Sequence, residues 1–335
     1  MRRPLSTRAD LVDESIRARL RYVRAEIGTS LRRFPDFLIV GPQRTGTTWL
    51  HAHLRFHPEI FLAEPKELFF FSRLKMPNHA RYRSSELSWY LQFFRDPLWR
   101  WLAKTGLCFR RYGVPYRPRV RGEATASYAA LDEDVIADIV ALNPDIKVIL
   151  MIRQPVDRAW SHAKKDLARN RKRRLDAVSA EELQRFFRDP YQRQCARYVE
   201  NCDRWAAHLR EGHLLVGLFD DIQTRPVELL VEAMNFLGIS SSRRYIGGDV
   251  RESVNPTDAG RIPEQHRRFL EELLAPDVQA LRERFGLSWP LGPHPLVMRL
   301  PRAEQEIPLG PPFSKGAEGR DSQESIPIIA AKLRE

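Results

Sequence analysis

The stretch "FLIVGPQRTGTTWLHAHL", residues 37–54, decides how the chain folds. A short apolar run ends at Gly41-Pro42, a glycine- and threonine-rich loop follows, and "TTWLHAHLRF" then reads as a helix that closes before Pro58. Strand, glycine loop and helix in this order make a phosphate-cradling corner. Gly41 and Gly46 hold the G-x-x-x-x-G spacing of a nucleotide-binding P-loop, but Thr47 stands where that loop has its lysine, with Thr48 after it. Backbone N–H groups at a helix start bind an anion without the lysine, since they are oriented donors at the positive end of the helix dipole. The cation has moved to Arg44, whose planar fork suits phosphate or sulfate oxygens, and Thr45, Thr47 and Thr48 offer hydroxyls beside it.

Working outward, "IKVILMI" (146–152) and "HLLVGLF" (213–219) are two more unbroken apolar runs of strand length. Pro155 is placed to open a helix after the first of them. Helical patterns lie between and after, among them "DEDVIADIVALN" and "PVELLVEAMNFLG", the second stopped by Gly238. Strands buried on both faces and alternating with helices imply an α/β chain, a P-loop-like three-layer fold with a central parallel sheet flanked by helices. Residues 10–33 carry Leu11, Ile16, Leu20, Val23 and Ile27 near helical spacing among many arginines, so a helical extension of one or two amphipathic helices is expected over 1–34. The main domain then covers 35–290, and the Pro- and Gly-rich 291–335 reads as a flexible tail.

Composition limits the partners. A chain of 335 residues, 43% hydrophobic, can bury a sizeable core, and its formal charge of +12 draws it to anions. The basic run in "NRKRRLDAVSAEELQRF" reads as a solvated face leading into a helix, so no nucleic acid is expected as a partner. Three cysteines, Cys108, Cys195 and Cys202, form neither an even framework nor a C-x-x-C pair, which argues against disulfides and a cysteine metal site. With no apolar run of signal-peptide or membrane-span length, the expectation is a cytoplasmic protein whose membrane contact, if any, is peripheral.

"GPQRTGTTWL" (41–50) resembles the 5′-phosphosulfate loop of the sulfotransferases that use 3′-phosphoadenosine-5′-phosphosulfate (PAPS). "VILMIRQPVDRAWSHA" (148–163) is similar to the same family's 3′-phosphate motif, with Arg153, Pro155, Arg158 and Ser161 in place. Its mechanics stand without the resemblance: an arginine at the carboxyl end of a parallel strand points into the crevice where α/β ligands bind, and Ser161 follows on the next helix. "EPKELFFFS" (64–72) is similar to the Lys-Glu-x-x-Phe-Phe segment of the heparan sulfate and related bacterial branch. "GEATASYA" (122–129), "RYVENCDRWAAHL" (197–209), "LLVGLFDDIQTRP" (214–226) and "NFLGI" (235–239) extend the resemblance over most of 35–290.

The resemblance implies PAPS as co-substrate, 3′-phosphoadenosine 5′-phosphate as its product, no metal, and an acceptor hydroxyl on a carbohydrate or glycolipid. It implies that Arg44 steadies the leaving group and that Glu67 is the general base, the apolar Leu68–Phe71 run excluding water beside it. Arg44, Thr45, Gly46, Thr47, Thr48, Arg153 and Ser161 would hold the nucleotide, with Trp49 stacked on the adenine and Tyr198 near it; Lys66, Glu123 and Tyr128 would face the acceptor. His79 and His162 are weaker candidates for the base, while His51, His53 and His57 read as packing residues of the helix behind the loop. The late R-K-G-x-x-G loop of cytosolic members is missing, leaving Arg251 or Arg261 as substitutes. Two other readings compete: a P-loop kinase-like enzyme with Asp220 and Asp221 as a Walker B pair, and a non-catalytic anion- or glycan-binding module.

Overall fold

The computed structural model describes residues 8–247, 250 and 261–291, and the backbone of 297–299. Five strands run parallel: β1 (Phe37–Val40), β2 (Ile60–Leu62), β3 (Val120–Ala124), β4 (Lys147–Ile152) and β5 (Leu214–Leu218). Their order is β2-β3-β1-β4-β5, and β6 (Val297–Arg299) adds to β5 in the antiparallel sense. The chain leaves the central β1 toward one edge and returns to β4 on its other side. The carboxyl ends of β1 and β4 thus lie side by side where the connections diverge, which is where open α/β sheets bind ligands.

The unbroken apolar runs are needed because both faces of the sheet are covered. On β1 and β4 the side chains of Leu38, Val40, Val148, Leu150 and Ile152 enter one core with Phe34, Tyr128 and Trp205. Phe37, Ile39, Ile149 and Met151 enter the other, with Leu50, Leu230 and Met234. The helices Thr47–Leu54 and Pro226–Leu237 cover that second face, and Glu133–Leu142 and Tyr198–His208 cover the first. A third cluster, Val156, Trp160, Leu183, Phe187, Leu270 and Leu274, supports the helix Pro155–Ala163 from below. Helix ends follow local chemistry: Gly238 closes Pro226–Leu237 in the left-handed conformation, and Ser179 caps Ala180–Arg188. Cys108, Cys195 and Cys202 are buried free thiols. Among the described residues no helix is long and apolar enough to cross a membrane.

Two expectations change. Among the described residues, the segment before β1 holds one short α-helix, Glu14–Arg19, and a turn of 3₁₀ helix at Leu31–Arg33. Its apolar residues Val12, Ile16, Val23 and Leu31 are instead spread along the main core, which a continuous helix could not reach. The backbone N–H groups of Arg21, Tyr22 and Val23 donate to the buried Asp138 carboxylate at 2.8, 2.9 and 2.9 Å, taking the place of a helical ladder. At the other end, β6 falls within the expected tail and pairs with the sheet. Residues 292–296 and 300–335 of that tail, and Arg251, lie outside the described residues; Arg261 is exposed.

Asp138 therefore fastens the amino-terminal segment to the domain. Asp138→Ala leaves three backbone donors without their acceptor, that of Val23 buried, and should lower stability by roughly 1–3 kcal/mol in urea unfolding, with Asp138→Asn between that variant and the natural protein.

Candidate active site

The loop after β1 is shaped by backbone constraint. Gly46 caps the helix Thr47–Leu54 with φ of 94°, and a Cβ there would lie 2.3 Å from Ile222 Cδ1 and 3.2 Å from the Phe219 ring. No side chain caps the helix, so its first turn is left to face a ligand. Arg44 also has a positive φ, 78°, which turns its side chain toward the neighbouring strand end. The Thr45 hydroxyl differs from expectation: it donates to the Pro42 carbonyl at 2.9 Å and is buried, so it closes the loop rather than offering a hydroxyl to a ligand. Thr47 is buried as well, whereas Thr48 lines the open cleft.

Arg44 Nε donates to Ser161 Oγ at 2.9 Å, which joins motifs 117 residues apart. Arg153, after β4, donates through Nη1 to the Arg44 carbonyl at 3.1 Å, and its guanidinium lies 4.1 Å from the centre of the Phe219 ring. Burial lowers the pKa of both arginines; each of Arg153 and Arg169 lowers that of Arg44 further by repulsion. Partly buried cations crowded in this way have chemistry that fits an anionic nucleotide carrying two phosphate groups. Tyr198 is buried in the core, and its hydroxyl accepts the Arg153 backbone N–H at 3.3 Å, so it positions Arg153 from behind. Trp49 is likewise buried, packed on His53 with its indole N–H donated to the Val250 carbonyl at 3.0 Å. Its ring is a core element here instead of an open platform for adenine.

A cleft of about 850 Å³ opens beside the loop, lined by Thr48, His51, Glu64, Lys66, Glu67 and Lys165 among others. Glu67 Oε1 accepts the Ala126 N–H at 3.1 Å and a longer contact from Lys66 Nζ at 3.4 Å. Lys66 is mostly buried, and burial lowers its pKa despite Glu67.

Glu123 and Tyr128 do not face this cleft. Both are fully buried, and they act beneath the 66–71 segment. Tyr90 Oη and Thr125 Oγ1 donate to the Glu123 carboxylate, the latter at 2.9 Å. Thr125 Oγ1 accepts the Leu68 N–H at 3.2 Å, and Tyr128 Oη accepts the Phe71 N–H at 3.2 Å. Short polar side chains under a chain segment hold its backbone in place, so these residues position Glu67 and do not contact an acceptor.

The histidines sort clearly. His162 is buried with Nδ1 on Gln192 at 2.9 Å and Nε2 on Asp166 at 3.2 Å, which commits both nitrogens. His79 turns its Nδ1 to the Arg81 N–H at 2.9 Å. His57 spans the Ser240 carbonyl and the Glu59 N–H as a structural link. His51 is a buried wall of the cleft, its pKa lowered to about 4 by burial and by Lys66 and Arg55. Asp221 is buried with Arg225 Nε and Nη2 on its Oδ1 at 2.9 and 2.7 Å, so it is not the metal-facing acid of a Walker B strand. Sequence reading missed Lys165, although its i+4 spacing from Ser161 carries a signal; it sits on a π-helical turn, Lys164–Arg169, that continues the helix Pro155–Ala163. Arg81 enters the cleft from an irregular segment without periodicity, and nothing in its neighbourhood marks it.

A model of the sulfotransferase domain matches residues 34–258. The chain belongs to the sulfotransferase domain family. A domain of this family implies PAPS-dependent sulfuryl transfer. The bifunctional heparan sulfate N-deacetylase/N-sulfotransferase 2 proteins of Bos taurus and Homo sapiens are each 28% identical to it over 222 residues. That is 64% of this chain and 23% of theirs, so this sulfotransferase chain aligns with about a quarter of the length of those relatives. A solved sulfotransferase from Alicyclobacillus acidocaldarius has the same fold, with a TM-score of 0.56 and 24% identity over 76% of this chain and 97% of that one.

Burial pushes the Glu123 carboxyl up to about 7, against the hydrogen bonds from Tyr90 and Thr125. A raised carboxylic pKa gives stability that is full below about 4.5 and is lost as pH rises through about 7. Glu123→Gln cannot titrate. In paired urea unfolding the variant should gain on the natural sulfotransferase steadily across that window, and a constant difference would mean that Glu123 keeps one protonation state throughout.

Proposed function

We propose that the enzyme moves the sulfuryl group of PAPS to a hydroxyl on a carbohydrate or glycolipid, with Glu67 as general base. The observation that carries the proposal is that Glu67 and Thr48, one from the 64–72 segment and one from the anion loop, line the same cleft. PAPS, when bound, supplies an activated sulfuryl group on a phosphate leaving group, and such in-line transfer asks the protein for cations and a base.

Backbone N–H groups at Thr45, Gly46, Thr47 and Thr48 bind the 5′ side in this reading, and Arg44 steadies charge on the leaving oxygen. Electrostatic preorganisation of this kind is usually the largest catalytic contribution. Arg153 and Ser161 hold the 3′-phosphate. Ser161 also receives Arg44 Nε, so the grip on the nucleotide and the catalytic cation share a partner. Glu67 takes the acceptor proton, and Lys66 beside it, with the Ala126 N–H, holds the carboxylate in place. Lys165, Arg55 and Arg81 make the cleft wall basic, which supports an acceptor carrying hydroxyls among anionic groups. The buried free thiols support a reducing, cytoplasmic setting.

A screen of glycan and glycolipid acceptors with labelled donor tests the acceptor class directly. Calorimetry in chelator should show 3′-phosphoadenosine 5′-phosphate binding far more tightly than ATP. Arg153→Ala should weaken that ligand much more than its analogue lacking the 3′-phosphate; equal losses would make Arg153 purely structural. Glu67→Gln keeps an acceptor for the Ala126 N–H, so nucleotide affinity should hold while turnover falls by roughly 10²–10⁴. Unchanged turnover would remove Glu67 as the base.

A further inference from the structure

The helix Leu98–Tyr112 takes no part in the site described above, and its apolar residues face outward. Leu98 is 72% exposed and Trp99 66%, with Trp101, Leu102 and Phe109 also exposed, while Cys108 alone in the helix is buried. Leu98, Leu102 and Phe109 stand at i, i+4 and i+11, which places them on one stripe of the helix, with Trp99 at its margin. Soluble surfaces scatter single apolar residues, but a contiguous stripe of large ones marks a contact.

The charges along this helix tell which contact. The helix contains no acidic residue; Lys104 is paired with Asp96 at 3.0 Å and Arg100 faces Glu64, while Arg110 and Arg111 near its carboxyl end are exposed. A stripe of Leu, Trp and Phe with exposed arginines at one end suits a helix lying in a membrane interface, where tryptophan rings sit at headgroup level and cations meet anionic lipid. A second copy of the chain is disfavoured, because a symmetric contact would set Arg110 and Arg111 against their own copies.

We propose that the outer face of the Leu98–Tyr112 helix docks on an anionic lipid bilayer, with the helix lying parallel to the membrane plane. The helix is tied to the rim of the cleft: Arg100 Nη1 is 3.9 Å from Glu64, which lines that cleft. Docking therefore brings the cleft close to the lipid surface. The proposal concerns the surface and is independent of which acceptor the enzyme uses.

Flotation of the full chain with vesicles of phosphatidylglycerol and phosphatidylcholine tests it, with phosphatidylcholine alone as control. The natural protein should float with the anionic vesicles, less so at high salt, and not with the neutral ones. Combined Leu98→Ser, Trp99→Ser, Leu102→Ser and Phe109→Ser should weaken vesicle binding by at least about tenfold, with circular dichroism and 3′-phosphoadenosine 5′-phosphate affinity unchanged. Arg110→Gln, a milder change at an exposed position, should weaken it by about fivefold. The proposal is overturned if the natural protein ignores anionic vesicles or if the fourfold variant floats equally well. Sedimentation that shows a natural dimer and a monomeric variant would also overturn it, in favour of self-association.

Discussion

Two guanidinium groups, Arg44 and Arg153, are held next to one another at the carboxyl edge of the sheet, and the rest of the structure is arranged to make that possible. Their charges repel, so each is held in place by partners of its own. Arg44 has Ser161 Oγ, and Arg153 has the Arg44 carbonyl and the face of Phe219. Asp166 lies near Arg44, and Asp157 and Asp220 near Arg153, and each raises the pKa of its arginine against the lowering by burial.

The strand order explains why this cluster is accurate. Arg44 and Arg153 follow adjacent strands, β1 and β4, whose interior side chains have no exposure, so the starting points of the two loops cannot drift. Glu67 is controlled differently. It lies on an irregular segment, and its precision comes from a buried polar network: Thr125 and Tyr128 accept backbone donors of that segment, and Glu123 holds Thr125. The cation cluster is thus positioned by strands and the carboxylate by hydrogen bonds.

This difference also sets what could be read from sequence. Apolar runs 37–40, 148–152 and 214–218 announce strands because burial on both faces leaves no polar position, and Gly46, Pro155 and Gly238 punctuate as their backbone roles require. Arg44, Arg153 and Ser161 were legible since their place relative to those strands fixes where they point. Glu123 and Tyr128 were misplaced because their sequence neighbourhood says that they lie near the site but not on which side of the backbone. Trp49 is ambiguous for a similar reason: a helix start offers both a ligand face and a core face. The segment before β1 failed since helical spacing of apolar residues also suits an extended chain that dips repeatedly into a core, and the decisive partner, Asp138, is more than a hundred residues away. Strand β6 gave no signal, being three residues long amid Pro and Gly.

Phe219 touches both halves of the anion site. The missing side chain of Gly46 makes room for it, and its ring supports the Arg153 guanidinium. The loop at Gly46 and the Arg153 guanidinium, the two ends of the proposed nucleotide grip, are therefore mechanically linked through one aromatic side chain. Any change that reshapes the loop near Gly46 pushes on Phe219, and through it on the residue assigned to the far phosphate. Donor preference in this scaffold is then a joint property of both strand ends, and re-engineering it one phosphate at a time would meet epistasis centred on residue 219.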